Sequence, residues 1–137
     1  MRERVLGLDV GTKTIGVAVT DALGIAAHPV TTLRRSGVNA DVAAVAQIAT
    51  QQTIRTIVVG LPYELDGTEE RSARLARQIG DGLVGLGLSV HYIDERFTSV
   101  DAHRRLIDAG ASRAKRKLVV DQAAAMLILE SWLNQSG

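Results

Sequence analysis

Cysteine is absent from this chain of 137 residues, and aromatic residues make up only 3% of it. Without thiols there is no disulfide scaffold, no thiolate zinc site and no cysteine nucleophile, as suits a reducing compartment. So few aromatic rings do not make a platform for base stacking. No apolar run approaches the roughly 18 residues of a membrane span, and no signal-peptide pattern follows Met1. We therefore expect a cytoplasmic protein with no membrane partner.

Apolar residues, by contrast, make up 46% of the chain. A chain of this length and composition can bury a core without cross-links, so we expect one domain spanning residues 1–137. The net charge of +1 does not by itself indicate a nucleic-acid partner. Its distribution does, because residues 96–117 hold seven basic and two acidic side chains, whereas the remainder carries −4. With so few rings available, contacts with a polyanion should be mostly with phosphates.

The first third of the chain predicts three antiparallel strands. Apolar runs from Val5 to Asp9 and from Ile15 to Val19 flank a glycine-containing turn, which suits a hairpin. A third strand from Ile25 to Leu33 contains Pro29, which has no amide donor and so belongs at a sheet edge or a bulge. Helical spacing then follows Asn39, interpreted as a helix cap.

The rest of the chain predicts two more strands, each reached through a helix. They run from Thr56 to Gly60 and from Leu88 to Ile93, with a helix beginning near Thr68 between them. Ser99 is predicted to cap a further helix through Asp108, and a last helix runs from Val119 to Leu133. The result is an α/β fold, a five-stranded mixed sheet of three antiparallel and then two parallel strands, flanked by helices.

Acidic residues stand at three positions where they need an explanation. Asp9 ends an apolar strand, where a carboxylate is costly unless it is partnered or binds a metal; the alternative is that it accepts amides of the following turn. Asp94 and Glu95 follow another strand, and alternation allows only one of them to share a face with Asp9. The alternative to a role as ligand is that one of these acids forms an ion pair with Arg96 in the loop that leaves the strand. Asp121 is predicted in the first turn of the last helix, where the helix dipole alone would favour it.

Taken together, these acids predict a metal site. Three carboxylates that converge from two strand ends and a covering helix repel one another, and a divalent cation relieves that repulsion. An all-oxygen ligand set without cysteine or clustered histidine favours Mg²⁺ or Mn²⁺ over zinc. Basic residues just before Asp121 would bring phosphate-binding charge to this site, namely Arg113, Lys115, Arg116 and Lys117. Lys13, in the first turn, is either a phosphate contact or a solvated turn residue.

Four motifs, in this order and at these spacings, resemble the YqgF/RuvX family along the whole chain. They are Asp9-Val10-Gly11-Thr12-Lys13-Thr14-Ile15-Gly16-Val17-Ala18, Gly60-Leu61-Pro62 with Asp66-Gly67, Asp94-Glu95-Arg96-Phe97-Thr98-Ser99, and Lys117 to Ala125. The resemblance implies an RNase H-like fold, a bacterial cytoplasmic protein, and either Holliday junction resolution or maturation of the 5′ end of 16S ribosomal RNA. It also implies Asp9, Glu95 and Asp121 as catalytic carboxylates, and so selects Glu95 over Asp94.

The function expected from these observations is hydrolysis of phosphodiester bonds with two divalent ions held by Asp9, Glu95 and Asp121. The expected nucleic-acid contacts are Lys13, Arg96, Arg113, Lys115, Arg116 and Lys117. The substrate is an RNA precursor or branched DNA, acted on by a monomer or a homodimer. Two hypotheses of other classes stay open. The first is a non-catalytic RNA-binding or assembly factor. The second is an ATP-binding half-domain of the actin type, because the pattern Asp9-x-Gly-Thr-Lys-x-x-Gly16 also resembles the phosphate loop of that superfamily.

Overall fold

The computed structural model describes residues 3–61, 68–94 and 113–136, with the side chains of 68–70, 113–121 and 136 excepted. Within these ranges the chain forms five strands and three helices. In chain order they are β1 (Val5–Val10), β2 (Thr14–Thr20), β3 (Ala27–Arg34), α1 (Val38–Gln51), β4 (Thr56–Leu61), α2 (Thr68–Gly85), β5 (Ser89–Asp94) and α3 (Arg113–Ser136).

The strands form one sheet in the order β3-β2-β1-β4-β5. β1 pairs antiparallel with β2, and β2 with β3, whereas the β1–β4 and β4–β5 pairs are parallel. The predicted mixed sheet is therefore confirmed, with β1 at its centre. Pro29 lies on the outer strand β3, beside a register shift between Val17 and Ala18. It is therefore both on an edge strand and next to an irregularity in the pairing, the two places where a sheet tolerates proline.

The two faces of the sheet bury separate apolar clusters, because side chains alternate along each strand. Leu6, Leu8, Ile57 and Val59 face the cluster that includes α1 and α2 residues. On the opposite face, Val5, Val58 and Ile93 pack with apolar side chains of α3. The sheet is thus covered on both sides, and β4, which has a parallel neighbour on each side, reads as nearly continuous apolar sequence.

Helix α3 lies very close to the sheet and crosses it diagonally. A Cβ placed on Gly7 of β1 would be 2.5 Å from Leu129 Cγ, so only glycine admits the helix at this distance. Gln122 Nε2 donates to Thr32 Oγ1 of β3 at 3.1 Å, and the ring of Trp132 lies 4.9 Å from that of His91 on β5. The helix therefore passes from above β3, over β1, to β5 as its sequence proceeds.

Two helix starts differ from the sequence prediction. Gly37, with a φ of 115°, precedes α1, so Asn39 lies inside that helix instead of capping it. Helix α3 begins at Arg113, six residues before the predicted start at Val119. Its buried stripe is Ala124, Ala125, Ile128 and Leu129. The helix predicted after Ser99 lies outside the described residues.

Smaller differences concern strand ends, where β3 and β5 each begin and end one or two residues later than predicted. In the part of the chain that the structure describes, no helix is long and apolar enough to cross a membrane.

Candidate functional site

Asp9 is a buried carboxylate at the carboxyl end of the central strand. Only 7% of the residue is exposed, and it is one of three buried polar residues among those described, with Thr20 and Asp41. Thr20 accepts a hydrogen bond from the Val5 amide, and Asp41 is paired with Arg35, so both have structural roles. Of the amides in the turn that follows Asp9, that of Gly11 donates to the Thr14 carbonyl at 2.8 Å.

The register of the sheet separates Asp94 from Asp9. Asp94 is level with Leu61, and Leu61 packs against the cluster under α1 and α2. Ile93, one residue earlier, belongs to the α3 cluster. Asp9 lies opposite Gly16, two residues before Ala18 of the α3 cluster, and therefore shares the α3 face. Asp94 and Asp9 thus face opposite sides of the sheet, while Glu95 lies outside the described residues.

The residue after Asp121 contacts the row of residues that contains Asp9. Gly16 pairs with Asp9 on one side and with Thr32 on the other, so these three form a row across β1, β2 and β3. Gln122, the residue after Asp121, donates to Thr32 in that row. At about 4.8 Å per strand, Thr32 is about 10 Å from Asp9 across the sheet. The side chain of Asp121 is outside the described part of the chain.

The early start of α3 removes one explanation for Asp121. The sequence predicted Asp121 in the first turn of this helix, where the dipole stabilises acids, but the first turn holds no acidic residue. Asp121 lies more than two turns inside the helix, where the dipole effect has fallen off. The prediction of a dipole-favoured position is therefore wrong, and this acid needs another reason.

The basic run, which the sequence analysis placed before the last helix, forms the start of α3. Four of the first five residues of that helix are basic, namely Arg113, Lys115, Arg116 and Lys117. Cations near a helix N-terminus are repelled by the helix dipole, so these residues destabilise the helix start. Binding of an anion there would offset that repulsion. Arg96, the other predicted contact of this block, lies outside the described residues.

The turn between β1 and β2 contains Lys13, which is exposed. Two residues that the sequence analysis missed support this turn. Arg35 Nη1 donates to the Gly11 carbonyl at 3.1 Å, and Arg35 Nε lies 2.5 Å from Asp41 Oδ2. One signal was available, because Asp41 precedes Val45 and Ala49 at helical spacing and a carboxylate on an apolar stripe requires a partner.

Asp9 fits the chemistry of a hard divalent cation, because it offers carboxylate oxygens in a region without sulfur ligands. Within the ranges described, no three His, Cys, Asp or Glu side chains come together as a metal site. Of the three predicted ligands, only the Asp9 side chain falls in those ranges. His28 lies near Asp21 and His91 beside Trp132, away from the Asp9 row.

Comparison with known proteins gives matches over almost the whole chain. The family model described as "RuvX: Holliday junction resolvase" matches residues 3–135. A protein of Myxococcus xanthus named "Putative pre-16S rRNA nuclease" is 47% identical over 132 residues, covering 96% of this chain and 87% of its own. A protein of Moorella thermoacetica with the same name is 44% identical over 135 residues, covering 98% and 96%.

Solved structures with the same fold include two resolvases. The chain is similar to T. thermophilus RuvC in complex with a Holliday junction substrate, with a TM-score of 0.63 and 13% identity, over 98% of this chain and 97% of that one. It is also similar to the Fowlpox virus resolvase in complex with Holliday junction DNA, with a TM-score of 0.54 and 11% identity, over 97% and 98%. At such low identity the likeness establishes the RNase H-like fold.

Proposed function

This chain belongs to the RuvX family, and from that premise we propose that it is a nuclease dependent on divalent metal ions. We further propose that residues 1–137 act as one nuclease domain in the cytoplasm, with Asp9, Glu95 and Asp121 as the catalytic carboxylates. The favoured substrate is precursor 16S ribosomal RNA, because the relatives at 44% and 47% identity are named for it. Action at its 5′ end is what the family resemblance implies.

The observation that carries this proposal is the placement of Asp9. A carboxylate that is 93% removed from solvent, on the central strand, is costly unless a cation or several donors stabilise it. It lies on the sheet face covered by α3, and Gln122, the residue after Asp121, contacts Thr32 in the same row of the sheet. A cation site between β1 and α3 would account for both acids.

Mg²⁺ or Mn²⁺ is the proposed cofactor, in two copies, held by Asp9, Glu95 and Asp121. Such ions would polarise the phosphodiester and lower the pKa of an attacking water. The chain's own contribution is to fix the carboxylates on a rigid strand and helix. Its basic residues bind the flanking phosphates, with Lys13 on the β1–β2 turn and Arg96, Arg113, Lys115, Arg116 and Lys117 in the basic block.

A second candidate substrate is a four-way DNA junction. The description of the matching family model as a Holliday junction resolvase favours it, and the fold is similar to that of a RuvC bound to a Holliday junction. A junction has two symmetric strands to cut and favours a homodimer, whereas trimming an RNA end requires one copy. The same fold without turnover would be a non-catalytic RNA-binding factor.

The decisive experiment compares cleavage of a precursor 16S RNA fragment and a four-way DNA junction, each with Mg²⁺ or Mn²⁺. We expect Asp9→Asn to reduce cleavage about a thousandfold, since several kcal/mol of transition-state stabilisation are lost. Asp94→Asn is the matched control, because it is the same substitution at a residue on the opposite face of the sheet. It should keep cleavage within a few fold of wild type.

Equal loss in the two variants would overturn the assignment of the site, as would full activity of Asp9→Asn. Tight RNA binding without turnover in any metal would favour the non-catalytic factor. Binding of ATP by calorimetry would favour the actin-type alternative.

A further inference from the structure

One residue, Arg35, holds the turn between β1 and β2 from both of its sides. Its guanidinium donates from Nη1 to the Gly11 carbonyl at 3.1 Å, and its backbone amide donates to the Lys13 carbonyl at 2.9 Å. The Gly11 amide closes the turn on the Thr14 carbonyl at 2.8 Å. Arg35 follows directly on β3, whose last residue Arg34 is paired with Thr14. The turn that follows Asp9 is therefore fixed by a residue from another part of the chain.

The charge of Arg35 is buried and matched. Its side chain is 10% exposed and that of Asp41 is 3% exposed, and the Arg35 Nε to Asp41 Oδ2 distance is 2.5 Å. Asp41 Oδ1 also accepts the Ser36 amide at 2.9 Å, so the carboxylate is held in place by two donors. A guanidinium is a rigid planar fork that reaches Asp41 and the Gly11 carbonyl together. A lysine ammonium at the same position is a point charge on a flexible stem and cannot reproduce that geometry.

We propose that Arg35 is a positioning residue that sets the β1–β2 turn so that Lys13 contacts a phosphate of the bound nucleic acid. This inference rests on the proposed function, because it takes the substrate to lie over Asp9. Lys13 is exposed, and its backbone carbonyl accepts the Arg35 amide. The competing interpretation is that Arg35 merely joins β3 to α1 and affects stability alone.

Arg35→Lys is the informative variant, because it keeps the ion pair with Asp41 and removes the fork. Arg4→Lys is its matched control. Arg4 makes a comparable fork, to the Thr20 carbonyl at 3.3 Å and to the Gln52 carbonyl at 3.1 Å, at the end of the sheet away from Asp9. Both changes remove charge-assisted hydrogen bonds to carbonyl groups, so both should lower the melting temperature.

The test measures binding of a labelled RNA hairpin by fluorescence anisotropy without divalent metal, so that no cleavage is needed. We expect Arg35→Lys to weaken binding about tenfold, the value of a lost hydrogen bond to a charged group. Lys13→Ala should weaken it similarly, and the double variant Arg35→Lys/Lys13→Ala should bind no worse than Lys13→Ala. Arg4→Lys should bind as wild type does. Additive losses in the double variant, or equal losses in Arg35→Lys and Arg4→Lys, would overturn the inference.

Cleavage assays on the same proteins separate this inference from the proposed function. If Asp9→Asn abolishes cleavage while Arg35→Lys changes neither binding nor KM, the positioning role fails and the nuclease assignment stands. If wild type never cleaves but the binding pattern is as expected, the nuclease assignment fails and the positioning role stands. If wild type does not bind the hairpin at all, both fail. Should Arg35→Lys not fold, the double change Arg35→Met/Asp41→Asn, which leaves no buried charge unpaired, takes its place.

Discussion

At the scale of single residues, side-chain direction decides which acids can cooperate. Asp94 and Glu95 are neighbours in sequence, and the pattern of apolar residues favours neither. The register of β5 against β4 puts Asp94 on the face of α1 and α2, away from Asp9. The resemblance to the family independently favours Glu95, and its role stays a prediction, because Glu95 lies outside the described residues.

A residue-scale prediction concerns Asp21 in the turn between β2 and β3. The Ile25 amide, at 2.9 Å, is the main cause of a pKa lowered below the ordinary 3.8, with further contributions from the Ala26 amide and His28. Because the pKa of this carboxyl is lower in the folded than in the unfolded protein, its ionised form stabilises the fold at pH values above the unfolded-state pKa. That stabilisation is lost as the pH falls through the folded-state pKa. Asp21→Asn should therefore melt below wild type at pH 7, and the two melting curves should converge as pH falls below 3.8.

The measurement is thermal unfolding by circular dichroism of both proteins at several pH values. A difference in melting temperature that stays constant from neutral to acid pH would mean that the carboxylate charge is not what stabilises the turn.

At the scale of elements, the close packing of α3 on β1 determines where Asp121 lies. Gly7→Ala should force Leu129 away, because the added Cβ would lie 2.5 Å from Leu129 Cγ. We expect the free energy of unfolding to fall by about 1–3 kcal/mol, as for other overpacked cores. Cleavage per folded molecule should fall as well, since the displaced helix carries Asp121. Urea unfolding and cleavage assays measure the two effects.

Gly85→Ala is the control for this prediction. A Cβ added at Gly85, the last residue of α2, would lie within 4 Å of no atom beyond its chain neighbours and the backbone of its own helix. The change should leave unfolding free energy unchanged or raise it by up to about 1 kcal/mol, and it should leave cleavage unchanged. If Gly7→Ala behaves in the same way, α3 is not held by this contact.

At the scale of the whole molecule, the uneven charge distribution should govern affinity. Replacing Arg113, Lys115, Arg116 and Lys117 together with glutamine should reduce the slope of log K against log salt by about 3, since each phosphate contact contributes about 0.7–0.9. The measurement is binding of a labelled RNA at a series of salt concentrations. The fold contributes to this effect, because it places all four basic residues at the start of one helix.

The matched control removes four exposed arginines outside the block, Arg55, Arg71, Arg74 and Arg77, by the same substitution. The change in net charge is identical, so general attraction falls equally in the two variants. Only a direct phosphate contact should reduce the slope, and the control should lower it by less than about 1. Equal slopes in the two variants would show that net charge alone, and not the block, binds the substrate.

Local sequence pattern was sufficient for the sheet. Alternation, glycine turns and Pro29 predicted three antiparallel strands with the third at the edge, and buried apolar runs predicted the parallel pair. The start of α3 could not be predicted in the same way. Four basic residues at a helix N-terminus oppose the dipole, which argues against a helix start there, although Arg, Ala and Lys are themselves good helix formers; the structure has a helix.

By itself the sequence determined the order of the elements and the antiparallel and parallel parts of the sheet, because these depend on periodicity and residue type. The three proposed catalytic acids come from the resemblance to the family and stay a prediction. The face that each side chain occupies was decided only in the folded molecule. Register fixed Asp94 on the far side of the sheet, Gly7 admitted α3 to contact distance, and Arg35 reached back to the Gly11 turn. These depend on contacts between residues far apart in sequence, which no local pattern encodes.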